Sequence, residues 1–199
     1  YPYNTSVVLT ASPSSGYRFA SWTNCPSPSS TTCTVATTSN RTITANFAQI
    51  TYTLTVSRVS VGAGGGSVSS SPSGIACPST CSKVYVTGTV VTLTAAPAAG
   101  SVLVGWSANC AVTGALTCQV TMDASKTVTV TFATTRTLTV TKTNAGYGSV
   151  TSAPAGIDCG STCSFAFVYN TSVTLTATPV PGRTFAGWSG SCTGASLTC

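Results

Sequence analysis

The side chains in this sequence with the most chemistry open to them are ten cysteines: Cys25, Cys33, Cys77, Cys81, Cys110, Cys118, Cys159, Cys163, Cys192 and Cys199. A thiolate can hold a metal, shuttle electrons or act as a nucleophile, whereas a paired cysteine only staples the chain. The reactive roles need company that is missing here. The sequence has no histidine, and its two acidic residues are Asp123 and Asp158. No Cys-x-x-Cys pair occurs, which argues against a zinc site and rules out a Cys-x-x-Cys-His haem site. Hydrolysis needs an acid–base pair or an activated nucleophile, and glycoside cleavage needs two carboxyl groups flanking one bond. Asp123 and Asp158 sit in different turn-like segments, and calcium sites usually want several carboxylates together. The expectation is therefore no enzyme, no catalytic residue, no cofactor and no metal. An even, dense set of cysteines reads as oxidised pairs in a secreted or cell-surface protein.

A long internal repeat positions these cysteines. Trp22, Trp106 and Trp188 are 84 and 82 residues apart, and Cys77/Cys81 recurs as Cys159/Cys163. Tyr3-Asn4-Thr5-Ser6-Val7 recurs as Tyr169-Asn170-Thr171-Ser172-Val173, and Val90-Val91-Thr92-Leu93-Thr94-Ala95 matches Ser172-Val173-Thr174-Leu175-Thr176-Ala177. Such a period marks tandem modules. We divide the chain into residues 1–50, the C-terminal part of a first repeat; 51–134, a complete repeat; and 135–199, a third repeat lacking its last strands. Tyr3–Cys33 and Tyr169–Cys199 are the same part of the unit, which suggests a window on a longer array. The start at Tyr1 reads as a mature or excised segment.

Within a repeat the dominant period is two. Thr127-Val128-Thr129-Val130-Thr131-Phe132 alternates hydroxyl and apolar residues, as does Thr137-Leu138-Thr139-Val140. Alternation of this kind gives a strand with one core face and one wet face. Gly62-Ala63-Gly64-Gly65-Gly66, its counterpart Asn144-Ala145-Gly146-Tyr147-Gly148, and Asp123-Ala124-Ser125-Lys126 read as turns. No helical period survives the prolines, glycines and threonines. The expected fold is all-β: tandem antiparallel modules, β-grasp-like or small sandwich-like, of about six short strands, each stapled by two disulfides. Cys25 and Cys33 have no other cysteine in their unit, so periodicity favours local pairs throughout. Crossing the Cys-x-x-x-Cys pair to the tryptophan loop remains the alternative. Extended chain would hold Cys77 and Cys81 about 13 Å apart, so local pairing demands a tight turn. The three tryptophans read as structural core rings, packed on a disulfide and against the sheet; sugar stacking is the rival role.

Only 5% of residues are charged, yet the net charge is +6. The bases are scattered, which reads as a solvated face and not as a nucleic-acid site. Apolar runs such as Phe165–Tyr169 fall far short of the ~20 residues a spanning helix needs, so no membrane insertion is expected. Asn4, Asn40 and Asn170 begin glycosylation sequons.

The segments Val173–Pro179, Gly182, Phe185-Ala186-Gly187-Trp188-Ser189-Gly190 and Cys192, with Gly156–Cys163 and Thr121–Val128, resemble the divergent internalin-B-type B-repeat. Ser21 for the glycine before tryptophan, Thr38 for the aspartate and Ala108 for Gly190 depart from it. The resemblance implies a β-rich, grasp-like fold and roles as stalk, spacer or adhesin, with no catalytic residue to carry over. The expected function is an extracellular structural array or filament subunit. Its partners would be neighbouring repeats or identical chains in a homopolymer. The alternative is an adhesin for surface glycans or another surface ligand, with Tyr3, Tyr17, Tyr147 and Tyr169 as candidate exposed aromatics. Threonine rows could also suit ice, but a twisted sheet rarely offers a flat array.

Overall fold

A computed structural model of the chain describes residues 1–107 and 109–199. Ala108, where the first repeat has Asn24 and the third Gly190, lies outside the described residues. The first repeat contributes β1 (Ser6–Thr10), β2 (Tyr17–Thr23), β3 (Ser27–Ser29), β4 (Thr32–Ala36) and β5 (Thr44–Gln49). The middle repeat contributes β6 (Thr51–Val61), β7 (Gly66–Ser71), β8 (Ala76–Cys77), β9 (Ser82–Val86), β10 (Val90–Pro97), β11 (Ser101–Trp106), β12 (Ala111–Val112), β13 (Thr117–Thr121) and β14 (Lys126–Thr139). β15 (Gly148–Ala153), β16 (Ser164–Val168) and β17 (Thr174–Pro179) follow, with a 3-10 turn at Ala145–Tyr147. The chain is all-β, as the alternation implies.

The strand count differs from the expected six short strands per repeat. Among the described residues the middle repeat has nine segments, of which β8 and β12 are two-residue ladders beside the disulfides. Two strands are long: β6 has 11 residues and β14 has 14. Neither proline nor glycine interrupts Lys126–Thr139, so nothing stops β14 where the middle repeat gives way to the third.

The chain forms two compact units. One holds Tyr1–Ser57, Val68–Thr94 and Ser107–Val128; the other holds Arg58–Ser67, Ala95–Trp106 and Thr129–Cys199. In the first unit β1-β4-β3 form one sheet and β2 pairs with β5. A five-stranded sheet in the order β12-β13-β10-β7-β8 is assembled mainly there, and Thr51–Thr55 of β6 pair with β9. In the second unit β11 and β16 pair with successive stretches of β14, and β15 pairs with β17. A core of Val150, Ile157, Cys159, Phe167, Leu175 and Ala177 is buried in the third repeat.

The register is the same from repeat to repeat. Leu9 faces Cys33 and Leu93 faces Cys118, while Leu175 and Cys199 exchange two backbone hydrogen bonds of 2.7 and 2.9 Å. β2–β5 and β11–β14 carry their irregularity at the same place, between Phe19 and Ser21 and between Leu103 and Gly105. One extra residue there re-aims the side chains that follow, among them the tryptophan.

Candidate functional site

The cysteines form five local disulfides: Cys25–Cys33, Cys77–Cys81, Cys110–Cys118, Cys159–Cys163 and Cys192–Cys199. The first repeat has one and the other two have two each. The Cys-x-x-x-Cys segments are tight turns, with Cα separations of 4.7 and 4.3 Å. In the middle repeat Ala76 and Thr80 exchange backbone hydrogen bonds of 2.8 and 2.9 Å, which closes the turn. The inner cysteine of each turn, Cys77 or Cys159, is buried. No cysteine is free among the described residues.

Trp22, Trp106 and Trp188 are all half-buried. Trp188 packs on the core of the third repeat beside Phe185, with ring centroids 5.1 Å apart. Its indole N–H donates to the Ser196 carbonyl at 2.9 Å. The indole nitrogens of Trp22 and Trp106 are buried with no hydrogen-bond partner among the described residues. Sequence spacing alone could not show that one tryptophan is tied to its loop in this way.

Several of the basic residues have local partners. Arg58 donates to the Gly66 carbonyl, and its counterpart Lys142 donates to Ala145 and Gly148 carbonyls at 3.0 and 2.9 Å. Both therefore tie off a glycine-rich hairpin loop. Lys126 donates to the Thr121 carbonyl at 2.8 Å and pairs with Asp123 at 2.7 Å. The Lys126 ammonium, hydrogen-bonded to Asp123, holds that carboxyl below its ordinary value. Asp158 lies in the Cys159–Cys163 turn, where its backbone bonds Thr162. The two carboxylates sit in separate turns, and no group of three or more histidine, cysteine or acidic side chains among the described residues could hold a metal ion.

Of the four candidate tyrosines, all are exposed, and Tyr147 carries the Arg183 guanidinium 4.0 Å above its ring. Tyr17 borders a small hollow with Ser12, Ser14 and Phe47. Tyr147 instead borders a groove of about 480 Å³ in the third repeat. One wall of this groove is the segment Leu138–Asn144 and the other is Thr184–Cys192; Val150, Leu175 and Ala177 form its apolar floor. The sequons at Asn4, Asn40 and Asn170 are exposed, and Asn4 and Asn170 share a left-handed turn, at φ 63° and 65°. Asparagine tolerates that region better than most residues.

No curated protein and no solved structure matches the chain. A family model, the divergent InlB B-repeat domain, matches residues 1–51, 52–136 and 138–199. With the alternation, the repeated register and that match in hand, the chain belongs to the divergent InlB B-repeat family, which points to a surface repeat domain.

Proposed function

We propose that this chain is a segment of an extracellular structural array, serving as a stalk, a spacer or the subunit of a filament, with no catalytic role. The observation that carries this reading is the repetition of one disulfide-stapled ladder, Leu9–Cys33, Leu93–Cys118 and Leu175–Cys199, in all three repeats. Small modules have too little core to be very stable alone, and local disulfides compensate for that outside the cell. The hydroxyl-rich strand faces keep the array wet with almost no charge, and the basic side chains described above are tied to their own loops. Modules of this kind associate by edge-strand pairing or abutment. Electron microscopy of unreduced material tests the proposal. Ordered filaments identify a polymer subunit and flexible strings identify a stalk or spacer. Dispersed particles with hydrolase activity that is lost in Asp158→Asn would refute it.

The placement of Tyr147, Phe185 and Trp188 on one groove favours a second reading, an adhesin for carbohydrate, because aromatic faces stack on sugars. Glycan-array binding that is lost in Trp188→Ala while the third-repeat disulfides stay intact is the result this reading requires.

A further inference from the structure

Three asparagines begin sequons, and the middle repeat separates them. Asn4 and Asn170 are counterparts, and Gly88 holds their place in the middle repeat. Asn4, Asn170 and Gly88 sit in the same left-handed turn, at φ 63°, 65° and 79°. The following amide closes it each time. Thr5 donates to the Pro2 carbonyl at 3.2 Å, Thr89 to Val86 at 3.1 Å and Thr171 to Val168 at 3.0 Å. Backbone alone therefore builds the turn. The side-chain amides of Asn4 and Asn170 have no hydrogen-bond partner among the described residues, and both asparagines are exposed. The middle repeat, with strands before and after this turn, shows that the place stays open in a complete module. Gly88 is exposed, and a Cβ there would meet nothing within 4 Å.

A left-handed turn asks only for glycine or asparagine. It does not ask for a hydroxyl two residues later or for an exposed ring one residue earlier. Asn4 and Asn170 have both: Ser6 and Ser172 follow, and Tyr3 and Tyr169 precede, 80% and 45% exposed. The middle repeat has neither, with Val90 and Thr87 at those places. The ring, the amide and the hydroxyl are thus present together or absent together. Ser6 and Ser172 are also exposed. Asn40 differs. Its place in the middle repeat belongs to Ser125, whose hydroxyl accepts the Thr53 amide of β6 at 3.1 Å. A bulky group there would stand against a strand.

We propose that Asn4 and Asn170, and not Asn40, carry N-linked glycans. An asparagine with a hydroxyl residue two places on is the acceptor pattern for that modification, which belongs on the surface of secreted chains. The local disulfides suit the same oxidising side of a membrane. The donor is an oligosaccharide carried on a lipid phosphate. The asparagine amide nitrogen forms a bond to the anomeric carbon, and the bond from that carbon to the phosphate oxygen breaks. The lipid phosphate leaves with the electron pair, and one amide proton passes to a base of the transferase. The exposed tyrosine beside each acceptor gives the first sugar an apolar face to lie on. Such glycans would hydrate a chain in which only 5% of residues are charged. The inference rests on the extracellular part of the proposed function and is the same for a stalk or a filament.

Glycopeptide mass spectrometry of the unreduced chain from its own source provides the test. Sugar on the Asn4 and Asn170 peptides, with the Asn40 peptide at its bare mass, is the expected result. Two variants made in that source locate the requirement. Asn170→Gly and Ser172→Val each introduce the residue type of the middle repeat, so the turn survives. Each should abolish the sugar at position 170 and leave Asn4 occupied. Sugar that persists in Ser172→Val, glycans confined to serine and threonine hydroxyls, or an Asn40 as fully occupied as the other two would overturn the proposal. Bare Asn4 and Asn170 in a chain with intact disulfides would overturn it and leave the extracellular reading standing, whereas bare asparagines beside free thiols would overturn both.

Discussion

The middle and third repeats share the pattern of their opening halves, yet they bury them differently. Around the Cys-x-x-x-Cys turn the two are alike: Ile75 and Ile157, Cys77 and Cys159, and Tyr85 and Phe167 are all buried. The Ser70 and Ser152 hydroxyls even accept the same amide bond, from Ile75 at 3.0 Å and from Ile157 at 2.9 Å. Away from that turn they diverge. Leu54 and Val56 are buried, whereas Leu138 and Val140 are half-buried, and exposure at the ladder leucine rises from 0% at Leu93 to 7% at Leu175. In the middle repeat the alternating strand β14 buries Val128, Val130 and Phe132. One alternating strand thus supplies the seal of a module, while the turn and its disulfide are built without it.

Removing the seal should have the largest effect. Phe132 is 1% exposed and Phe47, its counterpart in the first repeat, is 44% exposed. Phe132→Ala should cost about 3–5 kcal/mol, the usual range for a buried phenylalanine. Phe47→Ala should cost well under half of that, since its ring keeps much of its contact with water. Urea unfolding without reductant measures both, and equal costs would break the comparison. Next come the staples. Replacing Cys110 and Cys118 together by serine should cost about 2.5 kcal/mol, and replacing Cys77 and Cys81 about 1.9 kcal/mol, from the loop lengths alone. The same change at Cys192 and Cys199 should act locally, because the loop they close bonds the backbone of Leu175 and Ala177. Hydrogen exchange should then rise across Leu175–Ala177 while the Val91–Leu93 amides stay protected.

Much of this was legible in the residues. Thr127–Phe132 and Thr137–Val140 announce strands by strict alternation, and Cys25 with Cys33 announces local pairing because their unit offers no other cysteine. The length of β14 was harder to read. A strand ends where something breaks it, and repeat arithmetic suggested a boundary at 134/135 where the chain carries only threonines and an arginine. The groove was hidden for a different reason. Its walls come from Leu138–Asn144 and Thr184–Cys192, at least forty residues apart, and no period in the sequence brings them together. The tyrosines were visible by type, but the Arg183 that covers Tyr147 was not, since nothing in the spacing joins them.

A smaller contrast tests whether the glycine-rich hairpin loops are equivalent. Gly64 and Gly146 occupy the same place in the middle and third repeats. A Cβ on Gly64 would run into the backbone of Ala133, whereas one on Gly146 would meet nothing within 4 Å. Backbone cannot give way as a flexible side chain can. Gly64→Ala should therefore cost about 1–3 kcal/mol, as other overpacked sites do. Gly146→Ala should be neutral or stabilising by up to about 1 kcal/mol, through loss of unfolded-state freedom. Thermal melts of the two variants decide it, and a Gly146→Ala variant as damaged as Gly64→Ala would show that the loops are packed alike.

The least effect is expected at Asp123. Its pairing with Lys126 lowers the carboxyl pKa from an ordinary 3.8. A carboxylate with a depressed folded-state pKa stabilises the fold above its unfolded value, and that contribution fades as pH falls through the folded value. Asp123→Asn should therefore differ from the parent at neutral pH and converge with it in strong acid. The difference should be small, because the carboxylate is exposed and screened by water and salt. The first repeat gives an independent reason. Thr38 stands in the position of Asp123 there, and its amide donates to the Ala36 carbonyl at 2.9 Å, just as the Asp123 amide donates to Thr121 at 3.1 Å. The same turn forms with no carboxylate, so the backbone sets the turn and the ion pair decorates it. A melting difference between Asp123→Asn and the parent that persists undiminished at pH 2 would place the effect in the turn itself and remove the ion pair from the account.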